Sequence, residues 1–205
     1  MKTLKLISFF ILISAYFLHA LLFYPFLFID KYWTRKQLIA LVSFYSRGFL
    51  YVLGIKANFI GEEKLQDDKK NNYLIVSNHL SYLDILILAS KIPSAFVTST
   101  DIKNTPFLGQ IVTLAGCLFV NRKDKTNIKN EIKELREALN YGLNVVVFPE
   151  ATSTNGDEVI RFRHPLFEAS IATESPILPL TLNYSSISNK SVTILDISFP
   201  VLLLS

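Results

Sequence analysis

Cysteine, methionine and tryptophan each occur once in this chain of 205 residues, and histidine three times, at His19, His79 and His164. The lone thiol, Cys117, cannot close an internal disulfide, so nothing points to an oxidising compartment. No group of Cys and His falls at metal-ligand spacing. The basic residues, 21 Lys and Arg against 17 Asp and Glu, are scattered and accompany no nucleic-acid-binding motif, which argues against a DNA or RNA partner. Asp, Glu, Lys and Arg are all missing from one long stretch, Leu6 to Ile29, "LISFFILISAYFLHALLFYPFLFI".

At about 1.5 Å per helical residue, those 24 residues can cross a bilayer core of about 30 Å. Lys2 and Lys5 precede the run. Lys31, Arg35 and Lys36 follow it, beside Tyr32 and Trp33, which suit a membrane interface. The run is long for a signal peptide and has no small-residue cleavage site, so an uncleaved anchor is expected. Pro25 and the flanking charges leave two forms open, a full span and a helical hairpin in one leaflet. A second apolar stretch, "LIALVSFYSRGFLYVLGI" from Leu38 to Ile55, reads either as an interfacial helix or as a buried helix of the domain. Half the chain is hydrophobic, its mean hydropathy is +0.34, and its net charge of +4 suits an anionic membrane surface or an acidic substrate.

The polar, turn-like "GEEKLQDDKKNN" (Gly61 to Asn72) divides the chain into an anchor with its interfacial helix, residues 1–60, and a domain, residues 61–205. Beyond it, short apolar runs alternate with helical periodicity. "YLIVS", "SAFVTS", "CLFV", "NVVVFP", "ILPLTLNY" and "SVTILDISF" read as strands. Helices are expected from Ser81, in "TPFLGQIVTLAG" with Pro106 at an early helical position, in "TNIKNEIKELREALNYG" and in "HPLFEASIAT". The third is the clearest: Ile128, Ile132, Leu135 and Leu139 share one face and Gly142 supplies the stop. The alternation predicts an α/β fold, a mixed central sheet flanked by helices behind an N-terminal apolar anchor. The apolar ending "FPVLLLS" reads either as a domain cut short or as a tail packed on the membrane.

Within this pattern "SNHLSYLD", Ser77 to Asp84, interrupts two apolar runs with a histidine and an aspartate five residues apart. One reading is a capping box: Ser81 caps a helix and Asp84 reaches back to a free N–H. The other is chemical. Positions five apart do not share a helical face, so His79 sits in the strand-to-helix loop and Asp84 in the first helical turn. The carboxylate then accepts a bond from one imidazole nitrogen and leaves the other free as a base. Arg122 and Glu150 each follow a strand, at the edge where open α/β sheets bind ligands.

The order and spacing of these stretches resemble the lysophospholipid acyltransferases, the family of the bacterial 1-acyl-glycerol-3-phosphate acyltransferases. Its N-H-x-S-x-x-D block is matched by Asn78, His79, Ser81 and Asp84. Its G-x-x-F-x-x-R block is matched by Gly116, Phe119 and Arg122, and its F-P-E-G-T-R block by Phe148, Pro149, Glu150 and Thr152. An apolar stretch around a proline matches Pro176 to Pro179, so the resemblance runs from about Tyr73 to Asn183.

The resemblance implies acyl transfer from acyl-CoA or acyl-carrier protein to a lysolipid hydroxyl, with His79 as general base and Asp84 orienting it. It implies no metal or other cofactor, because a thioester is already activated. It places Asn78, Ser81, Gly116, Phe119, Arg122, Glu150 and Thr152 around the substrates. Arg122 suits a phosphate, which guanidinium grips with two parallel N–H donors. It also implies a bacterial inner-membrane location with the catalytic domain on the cytoplasmic side. One departure bears on the acceptor: Ala151, Thr152 and Ser153 stand where the family has Gly-Thr-Arg. Arg161 or Arg163 is expected to replace that arginine, or else both are surface charges. The alternatives are an acceptor with another head group, such as a lyso-ornithine lipid, a non-catalytic lipid-binding membrane protein, and a thioester hydrolase.

Overall fold

The charge-free run forms α1 (Lys2–Phe23) and a short 3-10 helix (Tyr24–Phe28) near whose start Pro25 sits, and the chain then reverses into α2 (Lys31–Leu53). The computed structural model describes residues 2–61, 72–121, 128–150, 152, 158, 160–162, 164–186 and 193–198. Asp30 caps α2, its carboxylate accepting from the backbone N–H of Tyr32 at 3.1 Å and of Trp33 at 2.9 Å. Gly54 ends it at φ +76°, in the left-handed region where a Cβ is disfavoured. Partners along α1 and α2 pair in opposite order: Phe9 with Phe49, Leu12 with Gly48, Tyr16 with Tyr45, Phe23 with Trp33. The two helices are therefore an antiparallel hairpin. Among the described residues, Thr3–Phe28 is the one segment long and apolar enough to cross a membrane. Its outer side exposes Leu4, Ile7, Phe10, Ile11, Leu18 and Leu22.

The second apolar stretch takes the buried form. Leu38, Ile39, Tyr45, Phe49 and Leu50 of α2 are all buried, while Phe44 and Tyr51 remain exposed. Tyr32 donates its hydroxyl to Glu137 at 2.7 Å and stacks on Tyr141. Arg35 is buried beside it, donating to the Cys117 carbonyl at 3.1 Å and to Glu134 at 3.3 Å.

The described strands are β1 (Lys56–Ile60), β2 (Leu74–Ser77), β3 (Ser94–Ser99), β4 (Leu118–Val120), β5 (Asn144–Val147), β6 (Ile177–Ser186) and β7 (Thr193–Ser198). They form one sheet in the order β1-β7-β6-β2-β5-β3-β4. β6, β2, β5, β3 and β4 run parallel, whereas β7 is antiparallel to β6 and carries β1 parallel to itself. The sheet is thus mixed, as the alternation predicts. β1, left on the anchor side of the boundary by the sequence, is one of its two edge strands, opposite β4.

Helices α3 (Leu83–Lys91), α4 (Thr100–Lys103), α5 (Leu108–Leu114), α6 (Ile128–Asn140) and α7 (Glu168–Thr173) complete the described elements, the last preceded by a 3-10 turn (His164–Phe167). Both faces of the parallel strands are covered, which explains why their sequences are continuous apolar runs. Ile75, Phe96 and Val146 pack on one side with Ile87 and Leu88 of α3 and Leu50 of α2. Leu74, Val76, Ala95, Val97, Val145 and Val147 pack on the other with Leu135, Ala138 and Leu139 of α6. One-residue alternation therefore sorts each strand between two cores.

One helix start differs from expectation. Pro106 lies outside α5, in a tight turn closed by Leu108 N–H to the Pro106 carbonyl at 2.7 Å. Phe107 then enters the helix at φ +63°. The turn lies so close to α4 that a Cβ on Gly109 would sit 1.9 Å from the Lys103 carbonyl oxygen. Arg122, Ala151, Ser153 and Arg163, most of the polar linker (residues 62–71) and the terminal residues 199–205 lie outside the described residues.

Candidate active site

β2, β5 and β6 are neighbours, and their carboxyl ends meet at one edge. Where β2 stops, Asn78 pins the exit: its Nδ2 donates to the Leu182 carbonyl at 3.0 Å and its Oδ1 accepts from the Leu182 N–H at 2.8 Å. A side chain thus continues the β2–β6 pairing for one more rung and delivers His79 to the edge of the sheet.

α3 begins beneath that loop with Asp84 in its first turn and fully buried. Its Oδ2 accepts from Leu80 N–H at 2.7 Å, Ser81 N–H at 2.9 Å and His79 Nδ1 at 2.8 Å. Its Oδ1 accepts from the hydroxyl of Tyr184 on β6. Ser81 Oγ in turn accepts from Leu83 N–H at 3.3 Å. The capping and orienting readings of Ser81 and Asp84 therefore describe one arrangement: the carboxylate that satisfies the helix start also holds the imidazole.

Phe148, the first residue after β5, stacks on the His79 ring, with centroids 4.1 Å apart and planes 16° from parallel. The aromatic face fixes the ring plane from one side. Because Nδ1 faces a carboxylate acceptor, it carries the proton, and Nε2 is left as the basic nitrogen. His79 is partly exposed, with 16% of its side-chain surface accessible, so Nε2 can meet a substrate while the charge partner stays dry. A buried carboxylate thus orients a partly exposed imidazole at the sheet edge, an arrangement that can act as a general base.

Two residues beyond Phe148, Glu150 is buried, and among the described residues its Oε2 has no hydrogen-bond partner. Thr152 follows it at the surface. Gly116 lies elsewhere, at the amino end of β4, at φ +73° beneath α2, where a Cβ would meet the Arg35 carbonyl oxygen at 3.2 Å. Its position there is set by packing at the edge opposite His79. Phe119 is in the middle of β4, three strands from β2, within the core shared with α3 and with the Lys103 ammonium over its ring at 4.8 Å. Arg161 is exposed. Asn78, His79, Ser81, Asp84 and Glu150 thus come to one edge, Gly116 and Phe119 do not, and Arg122 and Arg163 lie outside the described residues.

Tyr184 is a site residue that the sequence does not single out, and Phe148, matched within the F-P-E block, contributes its ring to His79. The available signal for Tyr184 is periodicity: Leu178, Leu180 and Leu182 are its buried same-face predecessors along β6, and the stripe ends in a hydroxyl at the edge that carries His79. Burial pushes its phenol above the ordinary range, the Asp84 hydrogen bond and charge push it further, and a bond with Ser81 pulls weakly the other way.

Comparison with known proteins gives one consistent picture. The sequence model of the acyltransferase family matches residues 56–183. The chain is 34% identical over 114 residues to a 1-acyl-sn-glycerol-3-phosphate acyltransferase of Neisseria gonorrhoeae, covering 56% of this chain and 45% of that protein. It is 31% identical over 143 residues to a lyso-ornithine lipid O-acyltransferase of Rhizobium meliloti, covering 66% and 48%. The chain thus spans about half the length of these curated relatives. The crystal structure of the 1-acyl-sn-glycerophosphate acyltransferase PlsC from Thermotoga maritima has the same fold, with a TM-score of 0.66 at 21% identity, over 97% of this chain and 84% of that one.

Proposed function

Because the chain belongs to the acyltransferase family, we propose that it moves a fatty acyl group from a thioester donor, acyl-CoA or acyl-carrier protein, to the free hydroxyl of a lysophospholipid. The acceptor that fits best is 1-acyl-glycerol-3-phosphate, giving phosphatidic acid. The observation that carries this reading is the 2.8 Å bond from His79 Nδ1 to a buried Asp84 at the carboxyl edge of the sheet.

Nε2 takes the proton of the acceptor hydroxyl as its oxygen attacks the thioester carbonyl. The imidazolium that forms is stabilised by Asp84 on one side, and the Phe148 ring face holds its plane on the other. Collapse of the tetrahedral adduct breaks the carbon–sulfur bond, and the thiolate leaves with the proton that Nε2 held. The products are the ester and a free thiol, and the base is regenerated. Glu150 holds an acceptor hydroxyl or a basic group, since a carboxylate repels phosphate. No metal or further cofactor enters these steps. The α1–α2 hairpin anchors the domain at the bacterial inner membrane with the site on the cytoplasmic side, where the donors are.

The test is a detergent-micelle assay with a labelled acyl thioester and a panel of lysolipids, comparing the native chain with His79→Ala. Labelled phosphatidic acid that disappears in the variant is the expected result. Product on a lyso-ornithine lipid alone would move the acceptor class. Full transferase activity in a folded His79→Ala protein would overturn the role of His79.

A further inference from the structure

The Asp84 carboxylate has room for about four hydrogen bonds. Among the described residues four donors fill it: His79 Nδ1, Leu80 N–H and Ser81 N–H on Oδ2, and the Tyr184 hydroxyl on Oδ1. Three of these come from Asp84's own loop, within five residues of it. The fourth reaches across from β6, 100 residues away in sequence. A carboxylate held only at Oδ2 is free to turn about that oxygen, and doing so would swing the acceptor away from the imidazole.

We propose that Tyr184 is a positioning residue for the His79–Asp84 pair, its hydroxyl fixing the rotation of the carboxylate so that Oδ2 faces His79. This role rests on His79 acting as the base proposed above. β6 is well placed for the task. Its Leu182 is clamped on both backbone groups by Asn78, immediately before His79, so the strand that carries Tyr184 is tied to the loop that carries the base. The ring of Tyr184 packs against the core on the α3 side, which sets the height of the hydroxyl. The upward push on its phenol keeps it a proton donor throughout the neutral and moderately alkaline range. Deleting only the oxygen leaves Oδ1 of a buried anion without a partner, a loss that falls on the transition state in which the imidazolium forms.

The experiment pairs kinetics with a readout that does not need turnover. In Tyr184→Phe, kcat should fall about 10- to 100-fold while KM for donor and acceptor stays within about twofold. In the proton spectrum of the full chain in micelles, the His79 Nδ1 proton is identified by its loss in His79→Ala. It should broaden or shift in Tyr184→Phe. Replacing Tyr184 by 3,5-difluorotyrosine keeps the ring and the hydroxyl but strengthens the donor, so the same resonance should move upfield. This second variant decides the matter if Tyr184→Phe does not fold. An unmoved resonance, or a change confined to KM, overturns the proposal; a purely structural role would lower the melting temperature and leave the resonance of the folded protein in place. If the native chain makes no product on any acceptor while the resonance still responds, the transfer reading falls and the coupling of Tyr184 to His79 stands. If product forms and the resonance does not respond, the reverse holds.

Discussion

Replacing Asp84 by asparagine isolates the charge at the site from its geometry. The asparagine amide can occupy the same buried position. Its carbonyl oxygen can accept from Leu80 N–H and Ser81 N–H, and its NH2 can donate to the Tyr184 oxygen, so the helix start is preserved. The anion opposite the imidazole is lost. At the 2.8 Å separation of His79 Nδ1 and Asp84 Oδ2, a unit charge pair in an effective dielectric of about 20 is worth about 6 kcal/mol. That is an upper bound, because three other donors share the carboxylate charge and His79 is partly exposed. Half of it, about 3 kcal/mol, is a working lower figure. At about 1.4 kcal/mol per decade these bounds give a fall in kcat between about 10²- and 10⁴-fold, with a melting temperature within a few degrees of the native chain. Single-turnover transfer from a labelled thioester to a lysolipid in micelles measures the chemical step directly. A folded Asp84→Asn protein whose single-turnover rate stays within about tenfold of the native one would refute the electrostatic role assigned to Asp84.

Two further outcomes test other parts of the structure. Burial pushes the Cys117 thiol up to about 12, so in the folded state thiolate appears only as the pH climbs towards that value, whereas in the unfolded chain it appears near 9. Iodoacetamide at pH 8, followed by mass spectrometry, should therefore label the denatured chain readily and the native chain about a thousandfold more slowly. Asn78→Asp puts an acceptor against the Leu182 carbonyl in place of a donor, so stability should fall by about 1–3 kcal/mol in denaturant melts and kcat should drop with it. Unchanged melts would mean that the two Asn78–Leu182 bonds contribute nothing to the β2–β6 junction.

Much of this arrangement can be read from local chemistry. α6 announces itself because Ile132, Leu135 and Leu139 recur at helical spacing, and the parallel strands do so because burial on both faces demands unbroken apolar runs. His79 and Asp84 are legible because a strand-to-helix turn forces the one into the loop and the other into the first turn. What resists reading is set by distant contacts. β1 is a five-residue edge strand that alternates between exposed and half-buried positions with none fully buried, and its partner lies more than a hundred residues away. The start of α5 depends on how closely Gly109 approaches α4. The role of Gly116 turns on Arg35, 81 residues earlier in α2, which no motif spacing encodes. Tyr184 acts across a strand boundary, and nothing adjacent to it in sequence names its partner.

α2 is at once the second arm of the hairpin and a wall of the α/β domain. Leu38 packs towards α1, Leu50 into the core beneath α3, and Ile39 into the core on the far side with α6, while Arg35 ties it to the start of β4. The hairpin is therefore a rigid mount and not a leash. Trimming the chain ahead of β1 to obtain a water-soluble fragment would strip the side of the sheet nearest the reaction centre. A mount of this kind fixes the height and tilt of His79 against whatever surface α1 rests on. On the proposed function, acceptor choice would then depend partly on how far a lipid's hydroxyl stands from the bilayer, a ruler that a flexible tether could not provide.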